Sequence, residues 1–113
     1  ETMMRYVLSM ASRRAGVPDL SELSVEQMVT LPVEILARSV VMDLTATGDD
    51  SLSIHNWVRP IRRRYRKNSE AIRVISEVVA WLRHEMILVD DLSISADGDW
   101  VMLSRRGTQW MAE

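Results

Sequence analysis

The stretch from Ser69 to Met86 constrains the fold more than any other part of this chain. Ala71, Ile75, Val78, Val79, Leu82 and Met86 recur at intervals of one helical turn and make a broad apolar face, while Arg73, Glu77, Arg83 and His84 point away. The spacing predicts a helix over about 69–88, capped by Asn68 or Ser69. The period then changes. Leu92-Ser93-Ile94-Ser95 alternates, Trp100-Val101-Met102-Leu103 carries strand formers, and between them stands Ala96-Asp97-Gly98-Asp99. Asp-Gly is a strong hairpin signal, so Asp97-Gly98 is expected to turn a two-stranded antiparallel hairpin. A last short helix, Thr108 to Met111, would return Trp110 and Met111 to the core.

Upstream the pattern is helical too. Met4, Leu8 and Ala11, with Val7 and Met10 beside them, form a stripe over Met3 to Ala15, and Gly16 followed by Pro18 is a stop. Ser24-Val25-Glu26-Gln27 fits a capping box at the start of a second, short helix. Pro32 suits the first turn of a third, which runs through Val33, Leu36, Ala37, Val40 and Leu44 until Gly48 closes it. Pro60 disfavours helix at Arg59, so residues 52–67 are expected as a kinked helix or as two short pieces meeting there. The fold class is therefore mostly α with a small antiparallel β-hairpin. Ile75, Val79, Leu82 and Leu36 are expected to be deeply buried.

Several function classes drop out. At 113 residues the chain is one domain by size, and without cysteine it has no disulfide, thiolate metal site or cysteine nucleophile. No apolar run approaches the ~18 residues of a membrane span. His55 and His84 lie on different elements with no carboxylate at metal-site spacing, and Asp90, Asp91, Asp97 and Asp99 lack the regular calcium-loop spacing. No serine sits in a recognisable nucleophile motif, and there is no phosphate loop or dinucleotide fingerprint. The expectation is a protein that is not an enzyme, with no catalytic residues, no cofactor and no metal. Among the four tryptophans, Trp110 follows a core pattern and Trp100 a strand flank, while Trp81 lies at the margin of its helix's apolar face.

Charge is the main functional signal. The net charge of −2 conceals a basic segment, residues 59–73, with 7 basic side chains against Glu70 alone. Residues 1–58 carry 4 basic and 8 acidic groups, and residues 74–113 carry 3 and 7. Local charge of this kind governs encounter with a polyanion. The alternatives are a solvated basic face pairing with the chain's own acidic flanks, or contact with an acidic partner protein.

Three motifs in succession carry a resemblance. Val79-x-x-Leu82 leading to Met86-Ile87-Leu88-Val89 looks like a third helix entering a wing, and Asp97-Gly98-Asp99 looks like the wing tip. Leu103-Ser104-Arg105-Arg106-Gly107 resembles the corner that ends the wing. Together they resemble the winged-helix (winged helix-turn-helix) DNA-binding domain of bacterial transcription regulators, roughly from Ser69 to Met111. Two features depart from that pattern. Met86 stands where such domains usually carry glycine, which would leave the helix end without its left-handed cap, and Asp97 and Asp99 make the wing tip acidic.

The resemblance implies an N-terminal helical extension over 1–31 and a winged-helix domain over 32–113. It implies a cytoplasmic module binding duplex DNA in transcription regulation, with Arg59, Arg62, Arg63, Arg64, Arg66 and Lys67 holding phosphates. Ser69 and Arg73 would lie on the early turns of the helix that reaches base edges, and Tyr65 against a sugar or a base. The methionine-rich N-terminal helix is an arm for a homodimer or a lid on a monomer's core. The alternative function is a winged-helix adaptor that contacts proteins inside a larger assembly.

Overall fold

Side-chain caps set every described helix start but one. In a computed structural model that describes residues 17–113, Asp19 caps a 3₁₀ turn at Leu20–Glu22 and Ser24 caps α1, Val25–Thr30. The capping box is complete: Gln27 N donates to Ser24 Oγ at 3.1 Å and Ser24 N to Gln27 Oε1 at 2.9 Å. Helix α2, Val33–Leu44, begins one residue after Pro32, which occupies the cap and not the first turn. Ser53 caps α3, Ile54–Arg64; Asn68 caps α4, Ser69–His84; and Ser104 caps α5, Arg105–Ala112. The expected helix over Met3 to Ala15, its stop at Gly16 and the dimer arm built on it lie outside the described residues.

Three strands form one antiparallel sheet in the order β1-β3-β2: β1 is Leu52–Ser53, β2 Leu88–Asp90 and β3 Trp100–Leu103. Leu88 pairs with Leu103, Val89 with Met102 and Asp90 with Val101, while Leu52 pairs with Val101 and Ser53 with Trp100. Strand β1 was not expected. Two residues are too few to show an alternation.

The helix expected to reach residue 88 stops at His84. Met86 takes φ +62°, so the left-handed position is filled by a methionine and the cap judged missing is present. The Ile87 N–H donates back to the Leu82 carbonyl at 2.9 Å, which closes the helix end. The chain therefore enters the sheet four residues earlier than the alternation at 92–95 suggested, and those residues are turn and loop. Leu92 and Ile94 are exposed there. Asp91 holds the turn: its carboxylate accepts from Ser93 N at 3.0 Å and from Ser51 Oγ at 2.6 Å. The hairpin loop thus runs from 91 to 99, with Gly98 at φ +88° and Asp99 N bonded to the Asp97 carboxylate at 2.9 Å. Asp97-Gly98 turns the chain within a longer loop, not as a two-residue hairpin.

Residues 54–64 are one helix with Pro60 inside it. Proline brings no N–H, so the Asn56 carbonyl lacks its intrahelical donor, yet the other bonds carry the helix through. The last helix begins at Arg105, ahead of the expected Thr108, because Ser104 caps it.

The core lies where α2 packs on α4, with α1 on the same helix and the sheet closing one end. Leu36, Ala37, Val40, Val41 and Leu44 meet Ala71, Ile75, Val78 and Leu82, joined by Ile61, Ile87, Leu88, Val101 and Trp110. Leu36, Ile75 and Leu82 are buried as expected, whereas Val79 is only partly covered and Val78 takes the inner place. The sequence 71, 75, 78, 82 continues the i, i+4, i+7 stripe, and 79 falls on its flank. Leu20, Leu23 and Met28 enter this same core.

Candidate nucleic-acid interface

Helix α3 buries Ile61 and half-buries Ile54, Trp57 and Val58. The opposite face follows from helical geometry: Arg59, Arg62 and Arg63 stand at i, i+3 and i+4, Arg66 follows in the turn after the helix, and all four are exposed. Among the described residues the ion pairs are Arg38–Glu113, Arg83–Asp90 and Arg106–Glu85, so no carboxylate neutralises any member of the basic segment. Arg59 lies 3.1 Å from His55 Nε2 on the same face. Arg62, Arg63 and Arg64 occupy the last turn, where the helix dipole favours positive charge and offsets part of their mutual repulsion.

The remaining expected site residues divide. Arg64 is exposed and lies 5.8 Å from the centre of the Tyr65 ring. Tyr65 itself turns inward, half-buried, with its hydroxyl donating to the Leu23 carbonyl at 3.1 Å. Arg66 and Lys67 are exposed in the turn joining α3 to α4. Ser69 and Arg73 are exposed one turn apart on α4, and Glu70 and Glu77 bracket Arg73 on that outer face. The arginine face of α3 and the start of α4 are thus joined through a four-residue turn, 65–68.

Residues outside the basic segment hold this surface in place. Trp57 Nε1 donates to Asp43 at 2.8 Å and fixes α3 on α2. Asp99 accepts from Ser53 Oγ and from the His55 backbone N–H, each at 2.8 Å, at the start of α3. A carboxylate at a helix N-terminus is favoured by its free N–H groups and by the dipole. Those bonds, the His55 N–H first, hold the Asp99 carboxyl below its ordinary 3.8. The acidic wing tip therefore divides: Asp97 is exposed, whereas Asp99 belongs to the α3 cap. Arg83, expected to point away, is half-buried; it pairs with Asp90 at 2.7 Å and donates to the Gly98 carbonyl, which braces the loop against the end of α4. The Asp91 carboxyl is also held below 3.8, chiefly by the Ser51 and Ser93 hydroxyls.

Among the described residues no group of three or more acidic or histidine side chains is placed to hold a metal ion, and no helix is long and apolar enough to cross a membrane. His55 and His84 stand on α3 and α4 respectively. Compared with protein-family models, curated proteins and solved structures, the chain matches none of them.

Proposed function

We propose that the chain binds duplex DNA through a winged-helix module, residues 32–113 with Leu20, Leu23 and Met28 packed into its core, as a non-enzymatic and cytoplasmic part of transcription regulation. The observation that carries this reading is the arginine face of α3: Arg59, Arg62 and Arg63 exposed on one side of the helix and Arg66 exposed in the turn after it, with no carboxylate partner among the described residues. Such a face attracts a polyanion, and arginine engages phosphate through two parallel N–H bonds. Two helices joined by a short turn, followed by a hairpin and the Ser104–Gly107 corner, support the winged-helix part of the proposal. In it Arg59, Arg62, Arg63, Arg64, Arg66 and Lys67 contact phosphates, and Ser69 and Arg73 face base edges.

The test is a titration against random duplex DNA at several salt concentrations. Each phosphate engaged releases counterions, so log affinity should fall against log salt with a slope of about −0.9 per contact. A protein that shows no salt-dependent binding at low ionic strength removes the DNA reading. A second reading, a winged-helix adaptor that contacts proteins inside a larger assembly, is favoured by the exposed Asp97 at the wing tip, since phosphate is repelled there. That reading predicts no DNA binding and capture of an acidic protein by the same arginine face.

A further inference from the structure

Where α2, the end of α4 and α5 meet, an open cleft of about 470 Å³ combines two indoles with a mixed set of charged groups. Trp81 and Trp110 form its aromatic wall, with ring centroids 6.1 Å apart and planes inclined at 53°. Both arginines of the cleft are engaged. Arg38 donates to the Trp110 carbonyl at 2.8 Å, lies 4.3 Å from the centre of that indole, and stands 3.8 Å from the Glu113 carboxylate. Arg106 donates to the Glu85 carbonyl at 2.8 Å and to its carboxylate at 3.1 Å. These contacts fasten α5 to its neighbours.

Other groups in the cleft are uncommitted. The Glu34 carboxylate has no ion pair or hydrogen bond among the described residues. Neither indole N–H has an acceptor among the described residues, although Trp110 is only 8% exposed. Buried indole N–H groups ordinarily find one, and even the half-buried Trp57 does so in Asp43. With Arg38 and Arg106 each matched by a carboxylate, the unmatched charge is the negative charge of Glu34, next to aromatic faces that attract cations. The two indole donors belong to residues that line the same cleft as that charge, an arrangement suited to a ligand with an acceptor close to its cationic head.

We propose that this cleft binds an organic cation of the guanidinium class, as borne by an arginine residue. The guanidinium lies against Trp81 and pairs with Glu34, and the carbonyl of the same residue accepts from the indole N–H groups. Arg38 over Trp110 is an internal instance of the same contact. None of these residues belongs to the arginine face of α3, so the proposal stands apart from the DNA reading.

The test uses nuclear magnetic resonance of the indole N–H signals, of which the chain has four, with Trp81 assigned through Trp81→Phe. The full chain is titrated with N-acetylargininamide, with the tripeptide Gly-Arg-Gly blocked at both ends, and with the uncharged isostere N-acetylcitrullinamide. The expected result is a saturable shift of the Trp81 and Trp110 signals at millimolar probe, with Trp57 and Trp100 unmoved and citrullinamide inert. Equal binding of the two arginine probes assigns a free small molecule; tighter binding of the tripeptide assigns a partner peptide. Glu34→Gln, on an exposed position that leaves the fold intact, should weaken binding about two- to fivefold. Trp81→Leu should weaken it about three- to tenfold. Absence of a saturable shift, equal movement of all four indoles, or equal binding of citrullinamide would overturn the proposal, as would unchanged affinity in Glu34→Gln.

Discussion

Replacing Gly107 by alanine sets two effects of opposite sign against each other. Gly107 sits in the first turn of α5, and alanine there improves helix propensity by roughly 0.8–1 kcal/mol. A Cβ at this position, however, would stand 2.3 Å from the Ile87 carbonyl oxygen, 3.1 Å from its carbon and 3.2 Å from the Ile87 Cγ2. The first contact is about an ångström inside van der Waals separation. The obstructing atom is backbone, at a residue with no exposed surface. Relief requires α5 to move away from the start of β2. That stretches the 3.0 Å bond from Ser104 N to the Ile87 carbonyl and loosens Trp110 from the core. Overpacking of this kind costs about 1–3 kcal/mol, and a weakened hydrogen bond about 1 more. After subtracting the propensity gain, Gly107→Ala should lower stability by about 1–3 kcal/mol. Urea unfolding followed by tryptophan fluorescence measures this directly. A variant as stable as the parent, or more so, would show that the helix yields freely and that the close approach does not determine the residue.

Other outcomes follow from the same geometry. Met86→Gly should raise stability by about 0.5–1 kcal/mol, since φ +62° strains a side-chain-bearing residue and an exposed methionine loses little packing; Met86→Ala should show no such gain. Leu82→Ala, at a fully buried position, should cost on the order of 2–5 kcal/mol in the same assay, and a loss below about half a kcal/mol would mean the helix packs by another face. Asp91 and Asp99 have folded-state carboxyls below 3.8, so their contribution is complete above about pH 4 and is lost as pH falls through the lower folded values. Asp91→Asn with Asp99→Asn should flatten stability against pH in that acid range and leave the profile above pH 5 unaltered in shape. On DNA, Arg62→Ala, Arg63→Ala and Arg66→Ala together should flatten the salt slope by roughly two to three units, whereas Arg73→Ala should chiefly change sequence preference. Asp97→Asn alone should tighten binding, because Asp99 is committed to the α3 cap.

Elements with local, periodic causes were readable from the chain. The Ser24 capping box, the Asn68 cap and the α2–α4 core stripes each depend on residues a few positions apart. What escaped reading depends on contacts across the fold. Strand β1 exists because Leu52 meets Val101, and β2 starts early because Met86 adopts a conformation that its residue type disfavours. The alternation at 92–95 misled because Asp91 folds the chain into a turn with two hydroxyls, one of them from Ser51, 40 positions away. The basic segment was visible as charge, but its division was not. The inward turn of Tyr65 and the duty of Asp99 at α3 require knowing that Leu23 and the end of the hairpin loop lie beside that helix.

The bond from Tyr65 to Leu23, with Leu20, Leu23 and Met28 in the core, bears on how this protein can be cut down for study. A fragment beginning at residue 32, where the helix-strand-helix pattern starts, would uncover apolar surface on α2 and α4 and release the turn that carries Arg66 and Lys67. Loss of three side chains of that kind removes several kcal/mol from a domain whose whole margin is of order 5–15. A minimal fragment for binding work must therefore start no later than Val17, and an inactive shorter one would report unfolding, not the absence of a binding surface.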